Sequence, residues 1–373
     1  MKAYKYKIKN LINDKNALIR AIFIVVLVVF MLFVFVNQTL INFTFNGFLE
    51  IFSKDLQVYI LDVGQANSNL IIFPNDTCMI IDTGSEESED DFLKSVDTIL
   101  SSNQITEIEY LLLTHSDADH VGGAVALLEN YQVNNILRPK IKSKNENDEN
   151  NYLVATTYTY ANVIDAVYSE PNCNVEYIEN KTFSFANNSS LTIYAGEEDY
   201  YKDTNSYSPF VLLDYKGRSF MFTGDATLVR EDEFVDSFDS DISVDYLVVS
   251  HHGSKYSTTE KFLSKVKPKC ALISAGDNLH PSEEVLKRLK NFGVEDIFVT
   301  KSVGTIALGV ANDGKVSVKT LSNHVDLPLI VVVFGLFICV CIKCFTEKSE
   351  NKFILRQEKH YLYHKKVCNK KSL

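Results

Sequence analysis

Histidine and aspartate side chains are ready ligands for divalent metals and ready carriers of protons. Residues 115–120, His-Ser-Asp-Ala-Asp-His, place two of each in six positions, directly after the apolar run 111–113. On a tight loop, His115, Asp117, Asp119 and His120 approach a common space from two directions, which suits a pair of cations. The same residue types also suit a simple helix cap. A mixed imidazole and carboxylate set takes Zn, Mn or Fe. Three further stretches carry the same kind of residue. In 221–226, Met-Phe-Thr-Gly-Asp-Ala, an apolar strand turns at Gly224 and delivers Asp225, as a ligand or as the cap of the next helix. In 247–254 an apolar strand runs into His251-His252-Gly253-Ser254, and in 280–281 His280 is stiffened by Pro281.

These loops need a scaffold of strands that end where they begin. Residues 56–82 read as three strands, punctuated by Gly64-Gln65 and Pro74-Asn75-Asp76. An acidic helix follows at about 88–102, then a strand at 108–114. From Asp119, placed to cap it, the pattern turns helical. A strand at 133–138, a polar surface loop at 142–151 (Lys-Ser-Lys-Asn-Glu-Asn-Asp-Glu-Asn-Asn) and a helical stretch near 151–168 come next. The hairpin 208–226 turns at Lys216-Gly217. Strand 244–250, helix 257–266, strand 269–275, helix 282–291 and a strand pair at 297–320 around Asp313-Gly314 complete the pattern. The chemically dense loops recur at strand C-terminal ends, an arrangement of functional loops on a rigid α/β frame.

Taken in order, the Asp-Val-Gly-Gln at 62–65, Ile-Asp-Thr-Gly at 81–84, His-Ser-Asp-Ala-Asp-His, Gly-Asp-Ala, Ser-His-His-Gly-Ser and His-Pro resemble the metallo-β-lactamase superfamily. Within it, they resemble the extracellular nuclease-like domain of ComEC-type DNA-uptake proteins, over roughly 55–320. The resemblance implies an αββα sandwich and a dinuclear metal site. By it, His115 and Asp117 hold one ion, Asp119 and His120 the other, and Asp225 bridges them. His251 completes the second site, His252 either ligates or orients, and Asp82 buttresses the loop. Where many members have a histidine, H-x-H-x-D-H, this chain has Asp117. It also lacks any histidine between His120 and His251, where Asn205, Ser206 and Ser208 stand. Oxygen-rich ligation favours Mn²⁺ over Zn²⁺. The implied reaction is hydrolysis of a phosphodiester, with DNA as the implied substrate, and Asp119, Asp225, His252 and His280 as the residues nearest the chemistry. A small phosphoester or lactone, or a tethered binding module without catalysis, are the alternatives.

Two apolar runs, 21–36 and 327–342, are each long enough with their flanks to cross a bilayer core of roughly 30 Å. A cleaved leader and a buried helix are the alternatives for the two runs. Both flanking tails are basic, so both are expected in the cytoplasm. The expected order is a basic tail over 1–17, a membrane helix over 18–42, an extracellular domain over 43–324, a second membrane helix over 325–342 and a basic tail over 343–373. Two spans cannot build a translocation channel, so any role in DNA import needs a separate channel protein. The chain has 37 basic and 48 acidic residues; residues 1–20 hold six and one of them, residues 343–373 nine and three, which leaves 22 basic against 44 acidic between them. Such a domain repels polyanions at long range unless metals or local basic patches intervene. Two patches are candidates, Arg138 with Lys140, Lys142 and Lys144, and Lys261 with Lys265, Lys267 and Lys269. Seven cysteines without regular spacing fit free thiols better than bridges.

Overall fold

The computed structural model describes residues 51, 55–147, 150–276 and 279–321, which fall in one compact unit, Thr44–Asn323. The two apolar runs and the basic tails lie outside the described residues. Among those described, no helix is long and apolar enough to cross a membrane.

Strand residues alternate between two faces, so a strand apolar at every position is covered on both sides. Strand β1 (Leu56–Ile60) shows it: Leu56, Val58 and Ile60 face one core, and Tyr59 faces another. The first sheet adds β2 (Asn69–Ile72), β3 (Cys78–Ile81), β4 (Glu107–Leu112), β5 (Gln132–Arg138), β8 (Asn174–Tyr177), β16 (Thr305–Val310) and β17 (Val316–Leu321), in the order β17-β16-β1-β2-β3-β4-β5-β8. It is antiparallel from β17 to β3 and parallel from β3 to β8. The second sheet repeats the plan. β9 (Lys181–Phe185), β10 (Ser189–Tyr194), β11 (Phe210–Tyr215) and β12 (Arg218–Phe222) are antiparallel, then β13 (Tyr246–Val248), β14 (Cys270–Ile273) and β15 (Asp296–Val299) run parallel to β12. A small parallel pair, β6 (Ile141–Ser143) and β7 (Leu153–Ala155), stands apart.

Between the sheets, Val58, Ile71 and Leu112 of the first pack with Val211, Phe220 and Leu272 of the second. The outer face of the first sheet is covered by α1 (Glu89–Ser102), α3 (Ala124–Asn130) and α4 (Tyr158–Ser169), through Phe92, Val96, Leu127 and Ile164. The outer face of the second is covered by α5 (Leu228–Asp236), α6 (Glu260–Val266) and α7 (Glu283–Asn291), through Phe234, Phe262 and Leu289. The layers are therefore helix, sheet, sheet, helix, the α/β sandwich expected of the sequence.

Four local expectations are corrected. The four-residue helix α2 (Ala118–Val121) is capped in position by Asp117, not Asp119, and Asp117 makes no side-chain capping bond. The strand pair near 297–320 is two different things. β15 joins the second sheet, and the hairpin around Asp313-Gly314 is β16–β17, because the short helix α8 (Thr300–Val303) and Gly304 at φ +75° redirect the chain between them. The helix near 151–168 starts only at Tyr158, where Thr157 accepts a bond from the Tyr160 amide. The polar run 142–151 begins inside β6, because Glu146 folds back to accept the Ser143 amide and pair with buried Arg138. The turn at Lys216-Gly217 has both φ values positive, the geometry of a tight two-residue hairpin.

A candidate metal centre

Each site residue leaves a strand at its C-terminal end, where the sheets pass from antiparallel to parallel. Asp82 follows β3, His115 follows β4, Asp225 follows β12, and His251 and His252 follow β13. The two halves are stitched together at this end. The Ser274 hydroxyl donates to the Ala66 carbonyl at 2.7 Å, and the Gly276 amide donates to Gln65 Oε1 at 2.9 Å. A side chain at 276 would meet the Gly64 carbonyl carbon at 2.3 Å, so only glycine fits there. The Asp-Val-Gly-Gln segment is thus a seam between halves, and Gln65 is its clasp.

Three buried imidazoles are oriented the same way. His120 Nδ1 lies 2.7 Å from Asp82 Oδ2, His252 Nδ1 lies 2.9 Å from the Ser274 carbonyl, and His115 Nδ1 lies 3.0 Å from the Thr114 hydroxyl. That hydroxyl donates onward to Asp82 Oδ2 at 2.8 Å, so it accepts from His115. With Nδ1 the donor in each ring, Nε2 is the nitrogen left for a metal once any proton on it is displaced. All three Nε2 atoms are buried and complete no hydrogen bond, although carboxylate oxygens crowd them. Asp225 Oδ1 is 3.0 Å from His120 Nε2, and Asp119 Oδ2 is 3.2 Å from His252 Nε2. Buried polar atoms are normally satisfied. Three unsatisfied imidazole nitrogens turned toward carboxylates, each ring fixed from behind by an oxygen, are what a metal centre requires.

The ligand atoms form two overlapping groups, His115 with His120 and Asp225, and Asp119 with His120 and His252. His120 belongs to both. Of the residues expected from the sequence, His252 and not His251 completes the second group. His251 stands a third exposed, with Nε2 3.6 Å from Asp225 Oδ2. Asp117 lies outside both groups, its Oδ2 3.9 Å from His115 Nε2 and its side chain 42% exposed. The His280 ring centre is 6.5 Å from that of His252, at the rim. Asn205 has a buried Oδ1 without a hydrogen-bond partner. Ser208 lies behind His115, 3.4 Å from its Nδ1, and accepts the Asp225 amide at 3.2 Å. Sequence reasoning missed the supports: Thr114, the Ser208 hydroxyl and the Ser274 carbonyl. A hydroxyl next to a strand-end histidine is the one signal that pointed to Thr114.

The electrostatics follow from this crowding. Burial disfavours a charged His120, but Asp225 and Asp82 override it and hold its pKa well above the usual value. Burial likewise opposes charge on His252, and Asp225 and Asp119 raise it nonetheless. Burial, then the neighbouring His120, lowers His115. Burial pushes Asp225 up, and His120 and His252 pull it well below the carboxylate range. Asp119, opposed by burial and held by His252, falls to about 2. A metal must therefore displace protons from His120 and His252. Since both pKa values are raised, metal affinity is expected to keep climbing as pH rises beyond about 6.5, the ordinary histidine value. In metal-free protein, the stability these two histidines lend is fully present below that value and is lost as pH rises through the folded pKa values. Thermal unfolding between pH 5.5 and 8.5, with chelator and with Mn²⁺, checks both signs; metal-induced stabilisation that does not grow with pH would contradict them.

The lysine and arginine clusters are largely spent on the protein itself. Arg138 is buried against Glu146; Lys261 pairs with Asp232 and Asp236, Lys267 with Asp241, and Lys269 with Asp245. Beside Asp117 a groove of about 520 Å³ opens between Ser116, residues 153–157 and residues 202–204, with Lys202 on its wall.

The helix-sheet-sheet-helix fold with clustered His and Asp ligands is that of a metal-dependent hydrolase in general, and residues 61–179 match the model of the Metallo-beta-lactamase superfamily. The chain is similar to "ComE operon protein 3" of Bacillus subtilis (strain 168), 28% identical over 270 residues, or 68% of this chain and 33% of the relative. It is also similar to "Recombination protein 2" of Haemophilus influenzae, 28% identical over 269 residues, or 71% and 30%. "Competence protein ComA" of Neisseria gonorrhoeae matches over 115 residues at 29%, or 30% of this chain and 16% of the relative. The chain thus spans about a third or less of the length of these curated relatives. Among solved structures, the metallo-β-lactamase fold protein YhfI from Bacillus subtilis is similar, at 11% identity and TM-score 0.43, covering 71% of this chain and all of that one.

Proposed function

We propose that the domain is a phosphodiesterase that cleaves DNA at a two-metal centre, tethered to the outer face of the cell membrane by the apolar runs 18–42 and 325–342. The observation that carries the metal chemistry is the trio of buried, unsatisfied Nε2 atoms on His115, His120 and His252 around Asp225 and Asp119. Divalent ions in such a site supply activation of water and compensation for the charge of a phosphoryl group. His115, His120, His252, Asp119 and Asp225 would hold the ions between them; His120, its Nδ1 committed to Asp82, has one free nitrogen and would bind only one of them, with His115 and Asp225 or with Asp119 and His252. Asp82 fixes the His120 ring and Ser274 the His252 ring, so neither must reorganise when a substrate binds. His280, 6.5 Å from His252 between ring centres, is the candidate proton donor for the leaving oxygen. The groove beside Asp117 falls within the roughly 300–1,000 Å³ range of ligand sites, and Lys202 on its wall is a cation for a phosphate. DNA as the substrate is supported by the relatives, whose printed names speak of competence and recombination.

The test is detergent-solubilised full chain with Mn²⁺ and linear DNA, beside an Asp119→Ala/Asp225→Ala double variant. Cleavage by the parent alone supports the reading. Equal inactivity on DNA with turnover of a small phosphodiester favours the small-substrate alternative, which the scarcity of unpaired cations recommends. Topology is tested separately: protease added to intact cells should spare epitope tags at both termini, and their loss would overturn the orientation.

A further inference from the structure

We infer that Tyr256 is a stacking platform for a base of single-stranded DNA, a specificity residue on the loop that follows the metal-centre histidine His252; the inference rests on the nuclease reading above. Tyr256 is 74% exposed, four positions after His252. An exposed tyrosine on a loose loop would be unremarkable, but this loop is strapped at every step. The Ser254 amide donates to the His251 carbonyl at 2.8 Å, and the Ser257 hydroxyl reaches the Ser250 and Ser254 carbonyls at 3.1 and 3.2 Å. Arg288 donates to the Ser257 and Thr258 carbonyls, both at 2.8 Å. Buried Glu231 accepts the amides of Thr258 and Thr259, the latter at 2.8 Å. The backbone that carries the ring is thus fixed, while the ring itself stays exposed to a partner outside the protein. Lys255 lies beside it, its Nζ 5.1 Å from the ring centre, so a cation and an aromatic face are offered together.

The charge balance selects the occupant. Duplex DNA is gripped mainly through phosphates and needs many available cations. Here Arg138, Lys261, Lys267 and Lys269 are already paired with carboxylates of the same domain. Single strands gain affinity instead from bases stacked on aromatic faces, each worth roughly 1–3 kcal/mol, and every base has a face to offer. An acidic nuclease that stacks one unpaired base on an aromatic face therefore avoids the repulsion that a duplex-binding one would face.

The experiment uses full chain in detergent with Mn²⁺ and three 12-residue probes: oligo-dT, an abasic oligomer with the same phosphates, and a blunt duplex. Steady-state cleavage and fluorescence anisotropy are read for the parent, Tyr256→Ala and Tyr256→Phe. Tyr256→Ala should raise KM and Kd for oligo-dT about tenfold, within the span expected for one stacked base. It should leave the abasic oligomer unchanged, and Tyr256→Phe should restore oligo-dT. The salt dependence of oligo-dT binding should be shallow, matching few phosphate contacts. Equal effects of Tyr256→Ala on dT and abasic probes, or preference for the duplex, would overturn the inference while leaving the nuclease standing. A parent that cleaves none of the three overturns both.

Discussion

His120→Ala is expected to cost the protein more bound metal than Asp119→Ala or Asp225→Ala, because it removes the one imidazole that either ligand group can use. The reason is membership: His120 is in both ligand groups, Asp225 in one and Asp119 in the other. Hydrolysis should fall on the order of a thousandfold in His120→Ala, the scale on which preorganised electrostatic stabilisation is lost. The variant should also be less stable even without metal, because Asp82 and Asp225 are then left buried with no imidazolium between them. Breaking a buried pair by removing one partner costs about 3–5 kcal/mol. Asp82→Asn separates ring positioning from ligation. It keeps a hydrogen-bond acceptor for His120 but loses the carboxylate, and should weaken metal binding by about 10- to 100-fold. Metal content by elemental analysis, alongside thermal unfolding in chelator, reads all of these variants. Undiminished metal content in His120→Ala would sink the assignment of His120 as a ligand.

Much of this site was legible in the sequence because strand ends are. Apolar runs such as 111–113 and 220–222 must be buried, and a histidine or aspartate following one must emerge at the edge of a sheet. That placed His115, Asp225 and the pair His251-His252 at one end of the fold. What the sequence does not carry is which member of an adjacent pair turns inward. His251 and His252 both adopt positive φ, 53° and 54°, a conformation no local pattern announces. It is the long-range bond from Ser274 that pulls His252 in and leaves His251 at the rim. The same limit applies to charge. Lys261, Lys267 and Lys269 read as a basic patch along the chain, but their partners, Asp232, Asp236, Asp241 and Asp245, come from the preceding helix and loop. A patch in one dimension became a set of neutral pairs in three. This is also why the acidic balance of the domain constrains the substrate: several of the cations that the composition counts already face carboxylates of the same domain.

Asp117→His should shift metal preference from Mn²⁺ toward Zn²⁺ by at least about tenfold, since replacing a carboxylate oxygen with imidazole nitrogen trades a hard ligand for a softer one. The position permits the swap. Asp117 makes no capping bond to α2, so the helix does not depend on its carboxylate, and its partly exposed side chain has room for a larger ring. Its Oδ2 is 3.9 Å from His115 Nε2, on the open side of the group formed by His115, His120 and Asp225. A ligand drawn in from this position completes that group without disturbing the second. Competition titrations of both metals against parent and variant give the answer, with Asp117→Ala as the reference for simple loss of the oxygen. If Asp117→Ala binds Mn²⁺ as tightly as the parent, Asp117 is not a ligand and the preference for a hard metal must come from elsewhere. If Asp117→Ala weakens Mn²⁺ while Asp117→His restores affinity only for Zn²⁺, this one aspartate sets which ion the domain uses, and the exposed, oxygen-rich side of the centre is where that choice is made.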